Sequence, residues 1–66
     1  MPEIINSLVS RRRALKLSQI AIAEATGTSR YTIMRLENGQ HEASLAFIER
    51  YAKAVNAALV VAIRYA

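Results

Sequence analysis

Apolar positions recur at helical spacing in four stretches of the chain, and polar breaks separate them. Ile5, Leu8, Val9, Arg12 and Leu15 line up along a first helix that Pro2 and Glu3 open and that runs to about Leu15. Its odd member is Arg12, a charge on an otherwise apolar stripe; its plain reading is a long side chain snorkelling to water. Lys16-Leu17 closes this helix, and Ser18 stands as N-cap of a second that runs to Thr26 with Ile22 and Ala23 on one side. Gly27 supplies the left-handed residue of a sharp turn. Thr28 or Ser29 caps a third helix to about Leu36 or Glu37, with Ile33 and Leu36 inward. Asn38-Gly39 is a turn signal and Gln40–Ala43 a polar loop. Ser44 then caps a fourth helix to about Val55, whose inner stripe is Leu45, Ile48, Tyr51, Ala52 and Val55; Glu49, Arg50 and Lys53 face out.

After Asn56 the period changes. Leu59, Val61, Ile63 and Tyr65 alternate along one face of a β-branched and aromatic run, which predicts a strand. A lone strand after four helices has no partner within the chain, so it is expected to pair with its symmetry mate in a homodimer. The alternative is that the fourth helix continues, because Ala54, Ala57 and Ala58 favour helix. The expected fold is all-α: four helices over 1–56, followed by a short C-terminal β-strand for dimerisation over 57–66.

The middle of this layout is the informative part. Two short helices joined at Thr26-Gly27-Thr28 have the arrangement of a helix-turn-helix, here spanning 18–37. With Ile33 and Leu36 inward, Arg30, Tyr31, Met34 and Arg35 point outward. Ordinary surface accounts for the arginines, but idle exposure of Tyr31 and Met34 is costly. Gln19 lies in the first turn of the second helix, where unpaired N–H groups attract phosphate. Gly27 by itself is equally consistent with any helix C-cap.

Composition narrows the function. At 66 residues the chain is one small domain of marginal stability, and with no cysteine it has neither disulfides nor thiolate zinc sites. His41 alone does not assemble a metal site, so neither metal nor cofactor is expected. Hydrophobic residues make up 53%, high for so short a monomer, which favours self-association. The net charge is +4, and seven of the nine Lys and Arg lie between Arg11 and Arg50. Such a basic chain suits an anionic partner, although a solvated face gives the same count. The longest apolar run, Ala57 to Ile63, is far shorter than the ~20 residues of a spanning helix, and no signal peptide is visible; the chain reads as cytoplasmic, with no membrane partner. Enzyme chemistry fits badly. Aspartate and cysteine are absent, His41-Glu42 lacks the second histidine of a helical zinc motif, and there is no glycine-rich phosphate loop or evident small-molecule substrate site.

Ser18-Gln19, Ile22-Ala23, Gly27, Ser29, Ile33 and the run Leu36-Glu37-Asn38-Gly39, taken together, resemble the phage-repressor and Cro-like (XRE-type) helix-turn-helix family over about residues 4–56. The resemblance implies a lambda-repressor-like fold in which the helix Ser29–Leu36 enters the major groove of double-stranded DNA. Arg30, Tyr31 and Arg35, with Met34 beside them, match the family's base readers. Ser18, Gln19, Ser29, Thr32, Asn38 and Gln40 fall where phosphate contacts are expected. The resemblance also implies that Arg12 pairs with Glu37, holding the first helix against the end of the third. Three positions depart from the family pattern: Ile20 and Met34 are apolar where polar or small residues are usual, and Thr26 is polar where an apolar one is usual. The Leu59–Tyr65 segment stands in place of a fifth helix and resembles the C-terminal strands of antitoxins.

Two functions are therefore expected. The first is a sequence-specific transcriptional repressor acting as a homodimer on an inverted-repeat operator. The alternative is an antitoxin that binds a toxin protein and autorepresses its operon.

Overall fold

In the computed structural model, which describes residues 2–60 and 62–64, the helices fall where the apolar spacing puts them. They are α1 (Pro2–Ala14), α2 (Gln19–Thr26), α3 (Arg30–Glu37) and α4 (Leu45–Ala54). Ser18, Ser29 and Ser44 start α2, α3 and α4 in the same way: each hydroxyl accepts from the amide three residues on, at 3.0, 3.2 and 3.1 Å. Each cap satisfies one N–H that the first turn would otherwise leave unpaired. Ser29, not Thr28, is thus the cap of α3.

The helix ends also repeat one device. Lys16, Gly27, Gly39 and Asn56 all take left-handed backbone, with φ of 58, 76, 74 and 55°. The residue after each donates its N–H to the carbonyl five positions back: Leu17 to Arg12, Thr28 to Ala23, Gln40 to Arg35 and Ala57 to Ala52, at 2.8–3.1 Å. This pairing closes the last turn and reverses the chain. Glycine adopts the conformation freely and asparagine does so readily, but for Lys16 it costs about 1–2 kcal/mol.

Leu8, Ile22, Ala23, Ile33, Leu36, Ile48, Tyr51, Ala52 and Val55 form the core. α2 packs on both α3 and α4, and α1 packs on α3. Thr26 is buried among them, and its hydroxyl donates to the Ile22 carbonyl at 2.7 Å, which makes a polar residue acceptable inside. Two stripe positions differ from expectation. Leu15 is exposed because α1 stops at Ala14 and the Lys16 turn redirects the chain; Leu17 packs against the core instead. Leu45, the first residue of α4, is exposed, and Phe47 takes the packing position.

The C-terminal expectation is corrected. Residues 57–60 and 62–64 form neither a strand nor a continuation of α4. The left-handed Asn56 ends the helix, and a strand needs a neighbour's N–H and C=O groups, which four helices do not offer. Of the four residues assigned to the strand, Val61 and Tyr65 lie outside the described residues. Leu59 folds back against the core beside Ile4, Leu8 and Arg11 of α1, whereas Val60 and Ile63 are 84% and 80% exposed. Among the described residues no helix is long and apolar enough to cross a membrane.

Candidate nucleic-acid interface

The turn at Gly27 sets α3 across α2, with Ile22 and Ala23 on one side of the contact and Ile33 and Leu36 on the other. All four are buried. Alanine at position 23 lacks a side chain beyond Cβ, so it leaves room for α3 to approach closely. Burying Ile33 and Leu36 turns the opposite side of α3 outward, and that side carries Arg30, Tyr31, Met34 and Arg35.

These four are not equivalent. Arg30 is exposed at the first helical position and Tyr31 is 63% exposed beside it, while Met34 and Arg35 are half-buried. The Arg35 guanidinium lies 5.7 Å from the centroid of the Tyr31 ring, within cation–π range, and its Nη2 donates to the Gln40 carbonyl at 2.9 Å. The structure therefore joins Tyr31 and Arg35 into one unit and leaves Arg30 to itself on the outer face.

The residues placed at phosphate positions divide similarly. Ser18 and Ser29 serve as caps, and the Ser29 hydroxyl is also 3.1 Å from the Thr32 hydroxyl, so those two share a local bond. Asn38 and Gln40 are exposed on the turn that follows α3. Gln19 is half-buried at the start of α2, and its amide Nε2 donates to Glu37 at 3.1 Å. A primary amide carries a second N–H, so this bond does not exhaust its donors.

Behind the outward face lies a polar node centred on Glu37. Arg12 Nη2 and Gln19 Nε2 donate to Oε1, at 2.8 and 3.1 Å. Arg12 Nε and the Tyr51 hydroxyl donate to Oε2, at 2.8 and 2.6 Å. Each carboxylate oxygen thus accepts twice, and the remaining guanidinium nitrogen of Arg12 donates to the Leu17 carbonyl at 2.9 Å. Burial pushes the Glu37 carboxyl toward protonation, but the hydrogen bonds from Arg12, Tyr51 and Gln19 outweigh it and hold its pKa below the ordinary value. The bond to Glu37 raises Arg12 further, and desolvation together with the neighbouring carboxylate raises the Tyr51 phenol. Arg12 is accordingly a buried ion-pair partner and not a snorkelling surface residue. The apolar spacing alone makes Tyr51 a stripe residue. A tyrosine where leucine would fill the stripe was the available signal, since a buried phenol needs a hydrogen-bond partner.

The sequence model of the helix-turn-helix domain family matches residues 8–62. No curated protein and no solved structure matches the chain. The family match covers all of α2, α3 and α4 and supports DNA as the partner.

Proposed function

The chain belongs to the helix-turn-helix domain family, and on that premise we propose that it is a sequence-specific repressor that binds double-stranded DNA as a homodimer, of the Cro-like (XRE) type. The observation that carries this reading is the outward face of α3. Arg30 and Tyr31 are exposed there in a basic chain, on a helix whose inner side packs on α2.

In this reading α3 lies in the major groove, and Arg30, Tyr31, Met34 and Arg35 face the base edges. An exposed arginine suits guanine, whose O6 and N7 accept both prongs of its fork. Position and register come from the phosphates, met by Gln19, Asn38, Gln40 and the first turns of α2 and α3, with Ser18, Ser29 and Thr32 nearby. The role is binding, without catalysis or cofactor, in the cytoplasm. The exposed Val60 and Ile63 of the tail are apolar surface suited to a second copy. Two copies related by a two-fold axis would read inverted half-sites about 34–36 Å apart, or a multiple of that distance.

The antitoxin alternative rests on the small size of the chain, a C-terminal strand and exposed Ile20 and Met34. The described tail is not a strand and Met34 is half-buried, which leaves the size and the 54%-exposed Ile20 in its favour. The reading is tested by selecting bound sequences from random DNA. A palindromic consensus is expected; binding with no sequence preference would overturn it.

A further inference from the structure

One arginine on the outward face of α3 is already occupied. Arg35 donates from Nη2 to the Gln40 carbonyl at 2.9 Å, and the Arg35 carbonyl in turn accepts from the Gln40 N–H at 2.8 Å. Side chain and backbone of the same two residues thus close a ring across the Gly39 turn. The guanidinium held in this ring is the one that lies over Tyr31, 5.7 Å from its centroid.

From this geometry we propose that Arg35 is a positioning residue for Tyr31 and not itself a reader of bases. The inference rests on the DNA-binding reading above and divides the labour within it: Arg30 and Tyr31 read, and Arg35 fixes the ring that reads. Reading guanine takes the planar fork of an arginine in both prongs. The Gln40 carbonyl takes one of the five N–H donors of Arg35 and leaves the others; what it fixes is the place of the guanidinium over the Tyr31 ring, and a reach to a base edge would draw it off that ring. Tyr31, by contrast, is 63% exposed and has two free torsions, so it would have to be ordered whenever it met a base. A guanidinium clamped over one face of the ring removes much of that cost beforehand and leaves the phenol and the other face available. The clamp is anchored at both ends within one helix and its closing turn, so it exists before DNA arrives.

The experiment uses the full chain and the sequence that the wild type selects from random DNA. Affinity is measured for every single-base-pair change of that site with Tyr31→Ala, Arg35→Ala, Arg35→Lys and the double variant Tyr31→Ala/Arg35→Ala. Arg35→Ala is expected to flatten the preference at the same base pair as Tyr31→Ala, by about two- to fivefold, the size of an exposed cation–π contact. The double variant is expected to lose no more at that base pair than Tyr31→Ala alone. Arg35→Lys keeps the charge without the planar fork, so it retains most of the overall affinity and not the preference; it also carries the test if Arg35→Ala does not fold. In the free protein, the Tyr31 ring resonances are expected to shift in Arg35→Ala. Loss of preference at a separate base pair, additive with Tyr31→Ala, or unshifted Tyr31 resonances would overturn the positioning role alone. A wild type without any base preference would overturn the DNA-specificity reading, and this inference with it.

Discussion

Arg12 and Glu37 meet fork to fork: Nε and Nη2 of the guanidinium reach the two carboxylate oxygens at 2.8 Å each, with the side chains only 11% and 4% exposed. The pair spans 25 residues and ties α1 to the end of α3. Attraction and desolvation nearly offset in such a pair, yet a partner left alone is an uncompensated buried charge.

Arg12→Met should therefore lower the unfolding free energy by about 3–5 kcal/mol. That is comparable to the whole stability of a domain this small, at roughly 0.05–0.15 kcal/mol per residue. Urea titration followed by circular dichroism measures it. A loss below about 1 kcal/mol would mean that the carboxylate is solvated and the pair behaves as a surface one.

The same node makes stability depend on pH from both sides. Glu37 has a lowered pKa in the folded state, so its contribution is present above the ordinary carboxylate value of about 4.3 and is lost as pH falls below it. Tyr51 has a raised pKa, so its contribution is present below about pH 10 and is lost as pH rises beyond. Melting temperature should therefore fall at both extremes. Glu37→Gln should flatten the acid limb and Tyr51→Phe the alkaline one, the latter at a cost of about 1.5–3 kcal/mol for a hydrogen bond to a charged group. An unchanged alkaline limb in Tyr51→Phe would contradict the assignment.

Because the four helix ends share one backbone device, their residues can be exchanged informatively. Lys16→Gly should stabilise the fold by about 0.5–1 kcal/mol, since it relieves the left-handed strain and gives back part of that gain as chain entropy. Gly27→Ala should destabilise it by about 1 kcal/mol or more, although nothing lies within 4 Å of the added Cβ, because the cost is in the backbone itself. Thermal melts of the two variants should move in opposite directions.

On DNA, Arg30 and Gln19 should behave as different kinds of contact. Arg30→Ala is expected to relax preference at one position of the site, costing about 1–3 kcal/mol of discrimination there. Gln19→Ala should weaken specific and random DNA alike. Gln19 also bonds Glu37, so a small drop in melting temperature should accompany its loss of affinity. Equal losses on specific and random DNA for Arg30→Ala would remove it from the readers.

The helices and the turn were legible because their signals are local: serine caps, a glycine in the αL position, apolar residues three and four apart. Ile33 and Leu36 facing Ile22 and Ala23 followed from those signals alone. What the residues could not show was where neighbours in space would engage a side chain. Arg35 reads as a free cation until the Gly39 turn brings the Gln40 carbonyl back to it. Gln19 reads as a phosphate ligand until Glu37 is seen beside it. The tail misled for a related reason. Alternation in Leu59–Tyr65 records strand propensity, whereas forming a strand requires an extended neighbour, and among the described residues the four helices offer none.

The Glu37 carboxylate draws one side chain from every helix: Arg12 from α1, Gln19 from α2, itself from α3 and Tyr51 from α4. A domain this thin would ordinarily fray element by element from its ends. Here no helix can detach without stranding a buried polar partner, so partial opening is penalised nearly as heavily as complete opening. Amides at the centres of all four helices should accordingly exchange with deuterium at one common free energy, equal to that of global unfolding. A graded spread among the helices would show that the node does not enforce it. With the node intact the protein exists as folded or unfolded with little between, and its reading helix is either wholly presented or wholly absent.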